Sequence, residues 1–173
     1  MVRKVKDAKR KLDLGCGPTV AHDTNYDEVY GIDIINPNNF DHIKVVDLVV
    51  ESIPFPDDYF DLVVCTDFLE HIPKLVYVPT RRYSFIELMN EISRVLKTGG
   101  QFNATFPVYP NTQAFDDPTH VNQITFKTMM YFNVDSSFST NVCKNYYGYT
   151  GSMRLLTFTH TMQEQVDVWF EKV

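Results

Sequence analysis

Three aspartates and two histidines stand in this sequence at spacings that suit the binding of a cationic small molecule and proton transfer beside it. Asp13 leads into the turn Leu14-Gly15-Cys16-Gly17-Pro18. Glycine at 15 and 17 lets the chain turn sharply and keeps side chains away from a ligand. A carboxylate repels a pyrophosphate, and Val20 replaces the third glycine of a dinucleotide-binding turn. The turn therefore suits a cation better than a dinucleotide. Asp33, eighteen residues past Gly15, is placed to accept both hydroxyls of a ribose. Asp47 closes the next apolar stretch and can accept a hydrogen bond from an exocyclic amine such as that of adenine. Three acidic strand ends on one sheet edge define a candidate site. Downstream, Thr66-Asp-Phe-Leu-Glu-His71 and Asp116-Asp-Pro-Thr-His120 bring histidines close to carboxylates, the composition of a general base and its support. His120, supported by Asp117 or Asp116, is the first candidate base, and His71 is the second. Proton transfer of this kind requires no metal, and no metal-ligating set is assigned.

The elements that must carry these residues read as an alternation of short strands and connections. Residues 9–14 form the first strand, and the Asp-, Asn- and His-rich stretch 19–28 is a loop or single turn rather than a full helix. Residues 28–34 and 42–48 form the second and third strands. The continuous apolar run 62–65 is a central parallel strand covered on both faces, with Glu70 and His71 on a first helical turn beside its end. Ser84 and Glu87 compose a capping box. Phe85, Leu88, Met89, Ile92, Val95 and Leu96 then repeat at three and four as one apolar stripe. Gly99 and Gly100 close that helix as C-cap residues. Residues 101–106 form the fifth strand, followed by a long polar-aromatic loop of the kind that often carries function. Thr125 caps a short helix to Phe132 with Phe126, Met129 and Met130 inward. Residues 152–161 and 165–172, separated by 162–164, are antiparallel neighbours, and Val166, Val168 and Phe170 alternate with polar residues.

Composition bounds the function. The chain of 173 residues, 44% hydrophobic and 22% charged, is sized for one domain, with residues 1–8 as a frayed start. It shows neither a transmembrane run nor a signal peptide. A net charge of −6 without a basic stripe argues against long nucleic acid as partner. Three cysteines without paired spacing indicate a reducing, cytoplasmic setting and argue against a zinc or disulfide framework.

The runs LDLGCGPT, YGIDI, VVDL, IPFPDDYFDLVVCTDFLEHI and EISRVLKTGGQF, in this order over residues 11–106, resemble the class I S-adenosylmethionine-dependent methyltransferases. The segment AFDDPTHVNQITFKTMMYF resembles a small bacterial and phage-like branch with an Asp-Pro-Thr-His element and a shortened connection after the glycine turn. The resemblance implies an α/β, Rossmann-like doubly wound sheet of about seven mostly parallel strands, the last antiparallel. It implies S-adenosyl-L-methionine as cofactor. Asp13, Gly15, Cys16 and Gly17 would hold its methionine part. Asp33 with Ile34 would take the ribose, Asp47 and Leu48 would meet the adenine, and Cys65 with Thr66 would line the pocket. Thr19 departs from the family pattern, where glycine is frequent.

The reading that follows is a methyltransferase acting on a small-molecule or glycan acceptor by in-line displacement, with His120, Asp117 and His71 as its acid–base residues. A non-catalytic S-adenosylmethionine-binding protein or partner subunit is the alternative. A nicotinamide-dependent oxidoreductase is disfavoured by Asp13 and the missing glycine. The acceptor and the oligomeric state are not legible in the sequence.

Overall fold

The computed structural model describes residues 8–161 and 165–173. The expectations of a frayed start, apart from residue 8, and of a turn at 162–164 lie outside the described residues. Seven strands form one sheet: β1 (Arg10–Leu14), β2 (Glu28–Asp33), β3 (Ile43–Val45), β4 (Phe60–Thr66), β5 (Leu96–Pro107), β6 (Met153–His160) and β7 (Gln165–Lys172). Their order is β3-β2-β1-β4-β5-β7-β6. The pairs from β3 across to β5 are parallel; β7 is antiparallel to both β5 and β6. The strand order reverses between β1 and β4, and a ligand crevice opens outside the carboxyl ends of the strands at such a point.

The core follows from the strand pattern. Leu12, Leu14, Ile32, Phe60, Val63, Phe102, Ala104 and Phe106 are buried in the central strands, and Val166, Val168 and Phe170 alternate inward on β7. Helix α1 (Ser84–Val95) places Phe85, Leu88, Met89, Ile92 and Val95 in the same core. Residues 15–27 contain no helix, as their polar composition implies.

Several local expectations are corrected. Ser84 and Glu87 do not form a capping box: Ser84 Oγ donates to the Pro73 carbonyl at 2.6 Å, and Glu87 accepts from Arg82 Nε at 2.9 Å. A nearby guanidinium and a tertiary carbonyl outcompete the local cap. Gly99 and Gly100 are not C-cap residues. The helix ends at Val95, Leu96 is already extended, and the glycines lie inside β5 where its register against β4 shifts. β3 is only three residues long, so Asp47 lies beyond it in a turn, accepting from the Val49 amide at 3.0 Å. The connection 72–82 contains a small hairpin, Val76–Tyr77 with Arg81–Arg82. Thr125 does cap a short helix, α3 (Phe126–Met130), which follows the single turn α2 (Gln113–Asp116). In α3, Met129 is buried, whereas Phe126 is exposed and packs edge-on against Phe158 of the edge strand β6.

Candidate active site

The glycine turn is fastened to β2 from both sides. The amides of Gly15 and Cys16 donate to the Ile32 carbonyl at 2.8 and 3.2 Å. The amide of Gly17 donates to Asp33 Oδ2 at 2.8 Å, and that of Ile35 to Asp33 Oδ1 at 3.2 Å. Gly15 and Gly17 have φ of +68° and +66°, a region that favours glycine. Gly31, opposite the turn on β2, is required by close approach. A Cβ there would stand 2.4 Å from Val20 Cγ2 and 2.6 Å from Cys16 Sγ. Sequence reasoning passed over Gly31, although a glycine inside a strand signals just such an approach.

Charge accumulates at this edge. Burial raises the Asp13 carboxyl to about 6, opposed by Lys11 and assisted by Asp33. Burial, then Asp13 and Asp33, raise the Cys16 thiol to about 11, which keeps it a neutral thiol.

A cleft of about 510 Å³ opens at the strand ends. Of the predicted residues, Gly15, Asp33, Ile34, Asp47 and Leu48 line it. His71, expected as a base, lines it too, together with Asp67, Phe68, Ile72 and Thr119. Asp13, Cys16, Gly17, Cys65 and Thr66 fall outside that lining. Cys65 is buried, and burial holds its thiol well above the usual range. Thr66 is exposed at the end of β4. Phe68 packs against Gly15, where a Cβ would meet its ring at 2.5 Å.

A second cavity of about 350 Å³ shares Asp67 and His71 with the cleft and adds Glu70, Asp116, Asp117 and His120. The long loop after β5 reaches it because the amides of Val121 and Asn122 donate to the Glu70 carbonyl at 3.0 and 2.9 Å. Asn122 Nδ2 also donates to the Leu69 carbonyl at 3.2 Å. These bonds dock the loop on the 3₁₀ turn Leu69–His71 and bring the rings of His71 and His120 to 4.8 Å, edge to face.

The hydrogen bonds place a proton on Nδ1 of both histidines, and in the neutral ring the lone pair is then on Nε2. Thr119 Oγ1 donates its only proton to Asp117 Oδ1 at 2.6 Å. At 2.9 Å from His71 Nδ1 the same oxygen can then only accept, so Nδ1 carries the proton and Nε2 the lone pair. His120 Nδ1 lies 3.0 Å from the Gln113 carbonyl, an acceptor only, so its Nε2 is also the lone pair. That Nε2 faces Glu70 Oε1 at 4.0 Å. Asp117 thus supports His71 through Thr119, whereas His120 is oriented by a backbone carbonyl. Two hydrogen bonds from Thr119 hold the Asp117 carboxyl below the usual range. Burial raises Glu70 to about 7; its own amide opposes the shift, and Asp67 and Asp117 add to it. A ring nitrogen of each histidine and a Glu70 oxygen all lie within 4.8 Å of one another.

The arrangement can hold a cationic, ribose-bearing ligand in one lobe and move or hold a proton in the other. An apolar groove of about 300 Å³ lined by Phe85, Ile86, Phe132 and Tyr147, among others, shares no residue with either lobe.

Residues 12–104 match a family model described as a methyltransferase domain. A sarcosine/dimethylglycine N-methyltransferase of Halorhodospira halochloris is 39% identical over 84 residues, which is 48% of this chain and 25% of that protein. The alignment thus spans only about a quarter of that relative. Among solved structures, an S-adenosylmethionine-dependent methyltransferase from Archaeoglobus fulgidus superposes with a TM-score of 0.64 at 16% identity, covering 96% of this chain and 87% of the other. A chain of the complex between the Haloferax volcanii Trm112 methyltransferase activator and a methyltransferase gives 0.62 at 14% identity, covering 98% and 84%.

Proposed function

The chain belongs to the methyltransferase-domain family, whose class I members use S-adenosylmethionine, and from that premise we propose that it transfers the cofactor's methyl group to a small-molecule or sugar-type acceptor. The observation that carries this reading is the two-lobed site: an acidic, partly apolar cleft at the sheet's switch point that opens into a histidine-bearing cavity. The cleft has the size of a small-ligand site. Asp33 offers its remaining lone pairs to ribose hydroxyls while its bonds to Gly17 and Ile35 hold it in place. Ile34, Val46, Leu48 and Val49 offer an apolar seat for a flat ring beside Asp47. We assign the methionine part to the Gly15 end of the cleft, with Asp13 behind the turn. The cofactor supplies a methyl group activated by a positive sulfur. The protein's own task is to orient a nucleophile in line with that methyl group, and orientation supplies much of the barrier reduction.

For a hydroxyl acceptor, His120 Nε2 and His71 Nε2 are the unprotonated nitrogens available to take its proton. Asp117, through Thr119, fixes the His71 ring for that role. The loop after β5 and the connection 72–82 form the rim. We read the chain as a single domain, with a small molecule or glycan rather than long nucleic acid as partner. Among the described residues no helix is long and apolar enough to cross a membrane. Cys16, Cys65 and Cys143 are free thiols, which supports a cytoplasmic setting.

Calorimetric titration with S-adenosylmethionine, S-adenosylhomocysteine and NADH tests the reading. Binding of the two adenosyl sulfur compounds and not of NADH is expected. Failure of both to bind removes the cofactor assignment. With binding established, release of S-adenosylhomocysteine against a panel of hydroxyl and amine acceptors separates an enzyme from a binding protein.

A further inference from the structure

We propose that Glu70, His71 and His120 form a divalent transition-metal site whose open coordination positions face the second cavity and bind an oxygen of the acceptor. Three independent features carry it. The first is placement: one carboxylate oxygen and one ring nitrogen from each histidine lie within 4.8 Å of one another. A cation at 2.0–2.2 Å from each ligand, the usual zinc distances, needs the three side chains to close by only about 1 Å.

The second is a buried carboxyl that no other side chain among the described residues answers. Glu70 is 1% exposed, and neither of its carboxylate oxygens has a hydrogen-bond partner among the described residues. Buried polar groups are nearly always satisfied, and a carboxylate without a donor is the costliest exception. Across the cavity from it, His120 Nε2 stands 4.0 Å from Oε1 and in the neutral ring is itself a lone pair. Two such groups facing each other at 4.0 Å are accommodated by a proton on one of them or by a cation between them.

The third is the outer shell. Metal-binding histidines donate their second nitrogen to a carbonyl or carboxylate, which fixes the ring and raises its basicity. His120 donates to the Gln113 carbonyl, and His71 donates to Thr119, which in turn donates to Asp117. His120 thus turns Nε2 toward Glu70, and the hydrogen bond at Nδ1 leaves Nε2 of His71 as its second ring nitrogen.

One carboxylate and two imidazoles suit zinc, manganese or iron and leave positions open. Gln113, Asp116 and Gln165 line the cavity that those positions would face. The acceptor is then an oxygen donor such as a hydroxyl; the cation lowers its pKa and, by occupying the histidine lone pairs, replaces the two rings as the means of activating it. The acceptor clause rests on the methyltransferase reading; the cation site does not.

The test uses the full chain, stripped with a chelator and titrated calorimetrically with Zn²⁺ and separately with Mn²⁺ near pH 7.5. One equivalent of at least one of the two is expected to bind. Glu70→Gln and His120→Ala should each weaken that binding by at least about tenfold, and Thr119→Val by about tenfold, the effect of losing an outer-shell partner. His42→Ala, at an exposed ring stacked on Phe40, should bind as wild type. Circular dichroism establishes that each variant is folded. If Glu70→Gln does not fold, His120→Ala carries the comparison. Binding of neither cation by the wild type overturns the proposal, as does equal binding by folded His120→Ala. A wild type that binds a cation but no S-adenosylmethionine keeps the metal site and loses the methyltransferase reading; the converse result does the opposite.

Discussion

At the scale of single residues, Asp33 has two duties that one substitution removes together. Its carboxylate holds the Gly17 amide and stands in the cleft. Asp33→Ala is expected to weaken S-adenosylmethionine binding by roughly 1–3 kcal/mol, the cost of leaving polar groups unpaired. Calorimetry checks this, and an unchanged affinity would take Asp33 out of the site. His120 lines the other lobe only. His120→Ala should therefore leave cofactor affinity intact and slow transfer to a true acceptor; full-speed turnover would reduce the ring to a brace for the loop. Sequence spacing located both residues. It did not reveal that Asp117 reaches His71 through Thr119, because the Asx-type turn at 117–119 and the 3₁₀ turn at 69–71 meet only in the folded chain.

At the scale of elements, the turn after β1 depends on what lies behind it as much as on its own glycines. Gly31→Ala would force a Cβ into Val20 and Cys16. Overpacking of this sort costs about 1–3 kcal/mol, and the displaced turn should also loosen the cleft. Chemical denaturation together with cofactor titration of this variant reads both effects; wild-type values in both would show that the turn is free to shift. The cap of α3 gives a contrasting case. Thr125 Oγ1 accepts from the Thr128 amide at 3.2 Å, so Thr125→Ala should cost about 1 kcal/mol without altering cofactor affinity. The Thr125 cap was legible because it is local. The Ser84–Glu87 pattern misled because Pro73 and Arg82, remote or outside the motif, claim both side chains.

At the scale of the molecule, two buried carboxyls give stability a pH dependence of definite sign. Glu70 is raised to about 7 and Asp13 to about 6, above their unfolded values of 4.5 and 3.8. Between the unfolded and folded values the native state binds more protons than the unfolded chain. Stability should therefore fall as pH rises from about 4 to about 7 and then level off, by something on the order of 3 kcal/mol for each group. Thermal unfolding against pH, with a chelator present, measures the slope. Glu70→Gln should flatten its upper half, and a slope that survives the change would assign it elsewhere. Saturating Zn²⁺ or Mn²⁺ should restore stability near neutral pH if the cation site exists.

By itself the sequence determined the sheet and the edge on which the site lies. Apolar runs, the glycine turn and aspartates at the strand ends are local signals, and β-strand alternation in Val166, Val168 and Phe170 carries over directly into burial. The 12–104 match rests on those same runs. Tertiary structure decided which polar groups share a cavity. The Glu70 carbonyl captures the loop through Val121 and Asn122, and that docking sets His120 against Glu70 and His71. Such a meeting depends on backbone bonds between segments some fifty residues apart, and no periodicity or motif within either segment encodes them.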